Sequence, residues 1–240
     1  EDRGTPVVTG VTDAGRVRIR EILGTNLPVG HPSQVVMVRG PESLDLALPR
    51  RADPRRIFIP LLPDQQQAYN AATASGLPGH QQRERISRSH NGRSALVNAV
   101  VAELLTRPPW EKAIVYAENL AVLDLAEQEL DRVGISHCRI DGRNPGKRQD
   151  VIASHKDPQG PRVMSGTKVL ERGMNLHYCN VMLSMDPTYN PASEMQREGR
   201  ICRIGSPHDW YQHIVYLPDV PHVHSKVATL QRKHDVAVSL

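Results

Sequence analysis

Apolar and polar positions show no sustained rhythm from Glu1 to about Pro54, a stretch rich in Gly, Pro, Arg and Val. "RRIFIPLLP" then predicts a short apolar strand over 57–62, and "DQQQAYNAATA" a helix over 64–74 with Asp64 as its N-cap. From Ser75 to Arg93, Gly, Ser, His, Gln and Arg crowd together, which predicts a mobile loop. Residues 1–93 therefore read as linker and not as an independent domain.

After Arg93 the rhythm changes and holds. "SALVNAVVAELLTR" is an amphipathic helix with Leu96, Val100, Leu104 and Leu105 on one face. "KAIVYA" is a compact buried strand, and "NLAVLDLAEQELDRVG" a helix closed by Gly134. There follow strand "ISHCRI", turn "DGRNPG", helix "KRQDVIASHK", strands "PRVMSG" and "NVMLSMD", helix "PASEMQREGRICR" and strand "QHIVYL". Strands alternating with helices at this spacing predict an α/β fold over 94–218, a mostly parallel sheet flanked by helices on both faces. A final helix, "HSKVATLQRKHDVAV", makes 219–240 a brace against it. Sheets of this kind bind ligands beyond the carboxyl ends of their strands. The polar loops at 117–119, 141–147, 165–175 and 186–191 fall there.

Composition narrows the chemistry only a little. A formal charge of +4 and a pI near 9.1 are compatible with a nucleic-acid partner without requiring one. One Phe and two Trp are too few for an aromatic platform under single-stranded nucleic acid. The three cysteines, Cys138, Cys179 and Cys202, form no C-x-x-C pair, and the eleven histidines form no H-E-x-x-H. No metal site is expected, and the cysteines read as small buried hydrophobes in a reducing compartment. Without a membrane-length apolar run or a signal-peptide core, an intracellular soluble protein is the expectation.

One decapeptide carries the strongest chemical signal. In "QREGRICRIG", Gln196 to Gly205, Arg200 and Arg203 stand three apart with a glycine before the first and another two after the second. Guanidinium forks suit phosphate or carboxylate, and this spacing predicts both on one helix face. Taken alone, they also fit two surface arginines on a solvated helix. "GRNPGKR" imitates a phosphate-binding loop, but three residues separate its glycines and Arg148 stands where Ser or Thr is required. The chain contains neither a true P-loop nor a D-E-x-H box.

These motifs, in this order, resemble the second RecA-like lobe of a superfamily-two ATPase, and within it the Swi/Snf type of double-stranded-DNA translocase. "KAIVYAENLAVLDLAEQEL" is similar to motif IV. "CRIDGRNPGKRQDVIASHK" resembles "ridG…R…i..F", with Asp141, Gly142 and Arg148 in the matching places and His155 where Phe is usual. "VMSGTKVLERGMNLHYCNVMLSMDPTYNP" resembles motif V and the following "d..WNP", and "QREGRICRIG" matches motif VI at every fixed position. Upstream, "VMVRGPESLDLALP…RRIFIPLLPDQQQAYN" resembles the linker that leaves the first lobe. The likeness covers roughly 35–218. Three departures stand out: Leu170 and Glu171 replace two small residues of motif V, with Arg172 before Gly173; Tyr189 replaces Trp; and Ser206 replaces Gln.

The resemblance implies a RecA-like lobe whose ATP and Mg²⁺ are held mainly by a missing first lobe, so that the chain alone is inactive and is a piece of something longer. It assigns Arg200 and Arg203 as arginine fingers, with Gln196 on the phosphate or the attacking water. Gly173, Asn175 and Gly199 would adjoin the nucleotide, and Thr167, Lys168 and Arg148 the DNA backbone. Plainer readings stand beside these: a helix cap for Thr167, a turn for Asn175, and a pair with Asp150 or Asp141 for Arg148. The implied partners are the first RecA-like lobe, double-stranded DNA, and a nucleosome or remodelling complex, with no membrane. The setting is nuclear, or cytoplasmic for a bacterial source. The alternatives are an RNA- or DNA-unwinding helicase lobe and a degenerate lobe serving as scaffold.

Overall fold

A computed structural model describes residues 48–52, 55–74, 79–143, 145–171, 174–186, 191–203 and 205–238. The linker stretch before Leu48, Gly173, and Thr188, Tyr189 and Asn190 of the "TYNP" segment lie outside them.

Strands with apolar side chains on both faces must be covered on both, and the sheet is built that way. Its strands are β1 (Arg50–Arg51), β2 (Arg55–Ile59), β3 (Ala113–Tyr116), β4 (His137–Ile140), β5 (Val163–Gly166), β6 (Val181–Ser184) and β7 (Trp210–Pro218). Every pairing among them is parallel, in the order β4-β5-β3-β6-β7, with β1 and β2 pairing successive parts of β7. Ala113, Val115, Val163, Val181 and Leu183 face one core, with Leu96, Val100 and Leu104 of α3 (Ala95–Thr106) and Leu123 and Leu130 of α4 (Leu120–Arg132). Ile114, Tyr116, Met164 and Met182 face the other, with Leu170, Leu176 and Ile201. Val151 and Ile152 of α5 (Arg148–Lys156) pack against that second core. The mostly parallel α/β sheet flanked by helices on both faces is therefore present.

Caps follow the local chemistry. Ser94 and Asn119 accept from the backbone N–H groups of Val97 and Ala121 at the starts of α3 and α4. Gly134 closes α4 at φ +72°, a conformation that suits glycine. Leu105 is 58% exposed: nine residues beyond Leu96, it lies half a turn away on the helix.

The expected loop at 75–93 needs the largest correction. Residues Gly79–Arg88 form helix α2, behind α1 (Pro63–Ala74), and His90 pairs with Arg93 across a tight turn. With Ile86 as its one strongly apolar residue, "GHQQRERISR" offers no apolar stripe to read as a helix. Gln, Arg and Glu are nevertheless good helix formers, and tertiary contacts complete the case. Ile86 is buried in a third cluster with Leu61, Tyr69, Val215, Leu217 and Val223. The fully buried Gln65 donates to the Ile86 carbonyl and accepts from the Ala95 N–H, stitching α1, α2 and α3 together. Two smaller differences accompany it: β2 ends at Ile59, and Pro63 opens α1, with Asp64 in its first turn. Val223 of α7 (Pro221–Val238) belongs to the same cluster, and residues 47–240 form one compact unit.

His155, at the usual Phe position, is fully buried, with Nδ1 3.0 Å from the Tyr178 hydroxyl and Nε2 3.3 Å from the Arg162 carbonyl. Burial pushes its pKa down to about 4. Because the folded value lies below the ordinary 6.5, folding favours the neutral ring, and that contribution is lost as pH falls from 6.5 toward 4. His222, also lowered to about 4 by burial, acts in the same window. Urea titrations across this range should show His155→Phe losing less stability on acidification than the wild type. Identical slopes would contradict the assignment.

Candidate functional site

The strands run parallel, so the turns after β3, β4, β5 and β6 share one edge of the sheet. The turn after β5 is the most constrained. A Cβ on Gly166 would lie 2.7 Å from the Ile140 carbonyl oxygen and 2.7 Å from Leu170 Cδ1. Only glycine lets the chain pass so close to β4 before Lys168–Glu171 winds into a 3₁₀ turn. Thr167, half-buried, begins this turn by accepting the Leu170 N–H at its carbonyl. Lys168 is exposed, with Nζ 3.2 Å from Glu118 Oε1. Arg148 is half-buried at the start of α5, and its Nε is buried without a hydrogen-bond partner among the described residues. Asp141 instead pairs with Arg139 and Arg143, which with Asp124 and Glu127 fix the turn after β4. These cations outweigh burial and hold its carboxyl below the usual range.

The turn ends in a buried ionic cluster that the motif reading missed. Glu171 is 9% exposed; its Oε1 accepts from the Tyr116 hydroxyl at 3.1 Å and lies 3.3 Å from Arg197 Nε. Arg197, 1% exposed on α6 (Pro191–Ile201), lays its guanidinium over the Tyr116 ring, 4.2 Å from the centroid. Burial pushes the Tyr116 hydroxyl pKa upward, so it remains a donor. One turn along α6, Arg200 directs Nε and Nη2 to the Glu171 carbonyl, while its own carbonyl accepts the Leu176 N–H. Glu171 and Leu176 are thereby fastened to α6 at three points. Arg197 is spaced i,i+3 from Arg200, which was the one available signal.

The other expected site residues fall as follows. Gln196 is exposed on α6, four residues before Arg200. Arg203 lies beyond the helix, which ends at Ile201; its Nε donates to the Gly199 carbonyl at 2.8 Å, so it caps the last turn instead of sharing a helical face with Arg200. Burial, with a smaller contribution from the charge of Arg203, lowers the pKa of Arg200. Among the described residues outside its own helix, nothing lies within 4 Å of where a Cβ on Gly199 would stand. Asn175 is exposed, with Oδ1 2.6 Å from His177 Nδ1. Gly173 is outside the described residues.

Three arginines from the supposed linker reach carboxylates at or near α6. Arg51 pairs with Glu198 at 2.6 Å, Arg56 with Glu194 at 3.3 Å and Arg88 with Asp186 at 2.7 Å. His213 places Nδ1 3.1 Å from Glu198 and Nε2 2.8 Å from the Ser184 hydroxyl. Ser184, His213 and Glu198 thus share the hydrogen-bond order of a hydrolytic triad. Ser184 is wholly buried, however, and no substrate reaches it. Glu194, Glu198 and His213 also come within 4.8 Å of one another. Arg51 and Arg56 pair with both carboxylates, which makes the cluster part of an ion-pair network.

Gly166→Ala should cost about 1–3 kcal/mol, because the opposing atom is backbone and cannot swing aside. A urea midpoint unchanged from the wild type would contradict that packing.

The comparisons agree with this geometry. Residues 94–205 match the helicase conserved C-terminal domain. The ATP-dependent helicase fft2 of Schizosaccharomyces pombe is 34% identical over 110 residues, 44% of this chain and 9% of that protein. The DNA repair and recombination protein RDH54 of Saccharomyces cerevisiae is 29% identical over 127 residues, 52% of this chain and 14% of that protein. The chain therefore spans only a small part of the relatives it matches. The crystal structure of the C-terminal part of the Fun30 ATPase domain superposes with a TM-score of 0.64 at 13% identity, covering 77% of this chain and 90% of that one. Its likeness establishes the RecA-like fold. In sequence the chain is thus similar to ATP-dependent helicases and to a DNA repair and recombination protein, through the helicase conserved C-terminal domain matched at residues 94–205.

Proposed function

We propose that this chain is the second motor lobe of an ATP-dependent double-stranded-DNA translocase, working with a first RecA-like lobe of the same protein in a nuclear setting. The reading rests above all on Arg200. Its Nε/Nη2 edge is held by the Glu171 carbonyl, and Arg203, three residues on, is held by its Nε on the Gly199 carbonyl. Two neighbouring guanidiniums on fixed supports suit an anion that crowds negative charge into a small volume.

Phosphoryl transfer from ATP supplies such an anion, with charge spread over the γ-phosphate oxygens. Arg200 and Arg203 would stabilise that charge, and Gln196 would orient the phosphate or the attacking water. Mg²⁺ and the phosphate cradle belong to the first lobe in this scheme, so the chain by itself turns over no ATP. Exposed Lys168, with Thr167 beside it and Arg148 on the next turn, would meet backbone phosphates, a contact that reads no sequence and suits stepping along a duplex. The relative named for DNA repair and recombination supports DNA as the track. A nucleosome or a DNA-bound protein would be the load.

The deciding assay is steady-state ATP hydrolysis by the full-length native protein with and without double-stranded DNA. Arg200→Ala should lower the DNA-stimulated kcat by roughly 10³-fold or more, as loss of an arginine finger does in related hydrolases. Turnover indifferent to Arg200 would sink the motor reading, and RNA-selective stimulation would make the protein an unwinding helicase.

A further inference from the structure

The buried carboxylate of Glu171 occupies a place where small residues are usual, and its surroundings give it work to do. A carboxylate 9% exposed needs a counter-charge and donors. It has both, from Arg197 and from the Tyr116 hydroxyl. Tyr116 ends β3 in the middle of the sheet, and its ring also supports Arg197 from below. The carboxylate therefore anchors the end of the 168–171 turn to the centre of the sheet and to α6 at once.

The same residue's backbone carbonyl takes two N–H groups of Arg200. Fixing the side chain thus fixes where the carbonyl points, and the carbonyl fixes one edge of the guanidinium. We infer that Glu171 is the positioning residue for Arg200, its side chain setting the turn whose carbonyl aims the guanidinium. This rests on the proposal that Arg200 serves ATP hydrolysis. The same hydroxyl of Tyr116 lies 3.5 Å from Glu118, the partner of Lys168, so the cluster also adjoins the cation proposed for DNA.

A double-mutant cycle on the full-length native protein tests the inference. Glu171→Gln keeps an acceptor for Tyr116 but removes the charge facing Arg197. The DNA-stimulated kcat should fall roughly 10-fold, the scale of a small misplacement of a reacting group, with KM for ATP changed less than twofold. In the Arg200→Ala background the same substitution should have almost no further effect on kcat, since there is no guanidinium left to aim. Additive losses in the double variant would overturn the inference, because a merely structural carboxylate acts regardless of Arg200. If Arg200→Ala itself left kcat unchanged, the motor reading would fail and the inference with it. Should Glu171→Gln prove too unstable to purify, Tyr116→Phe replaces it in the cycle. That variant removes the hydroxyl while keeping the ring under Arg197, and the same coupling to Arg200 is required of it.

Discussion

The arrangement depends on a buried charge that cannot be left alone. Arg197 is almost wholly enclosed, and breaking such a pair by removing one partner typically costs about 3–5 kcal/mol. Glu171 supplies the counter-charge and Tyr116 both a donor and a polarisable face. Because these residues come from a turn, a helix and a central strand, satisfying the charge draws three elements to one point. Arg200, one turn beyond Arg197, receives its support from the same turn.

A second set of charges ties the edge of the sheet to that helix. Asp186, Glu194 and Glu198 meet Arg88, Arg56 and Arg51, which all precede the conserved domain in the chain. Burial raises the pKa of Asp186, with Arg88 opposing, while at Glu198 the combined pull of His213 and Arg51 exceeds burial and the pKa falls. Residues 48–93 are thus part of the lobe in contacts as well as in sheet pairing. Movements of this segment would be felt at α6, since its arginines hold carboxylates on and just before that helix.

Short continuous apolar runs made the sheet legible in the sequence. Val115 and Ile114, or Leu183 and Met182, are neighbours facing opposite cores, and such runs have few uses other than a parallel strand covered twice. Motif VI likewise singled out Arg200, which the structure holds against the Glu171 carbonyl. What stayed hidden was held by single long-range contacts. Helix α2 depends on Ile86, Gln65 and Arg88 meeting elements distant in sequence, and no period announces that. Arg203 looked like a companion on the helix because spacing does not show that the helix stops at Ile201. Glu171 was visible as a departure from the usual motif, but its meaning required Arg197 and Tyr116 beside it.

The measurement that bears most directly on this account is a structure of the full-length native protein with double-stranded DNA and a transition-state analogue of ATP hydrolysis. The account predicts Arg200 within hydrogen-bond reach of the analogue's equatorial oxygens, its Nε still on the Glu171 carbonyl. A closed complex in which Arg200 points away from the phosphates, or leaves Glu171 to reach them, would contradict it.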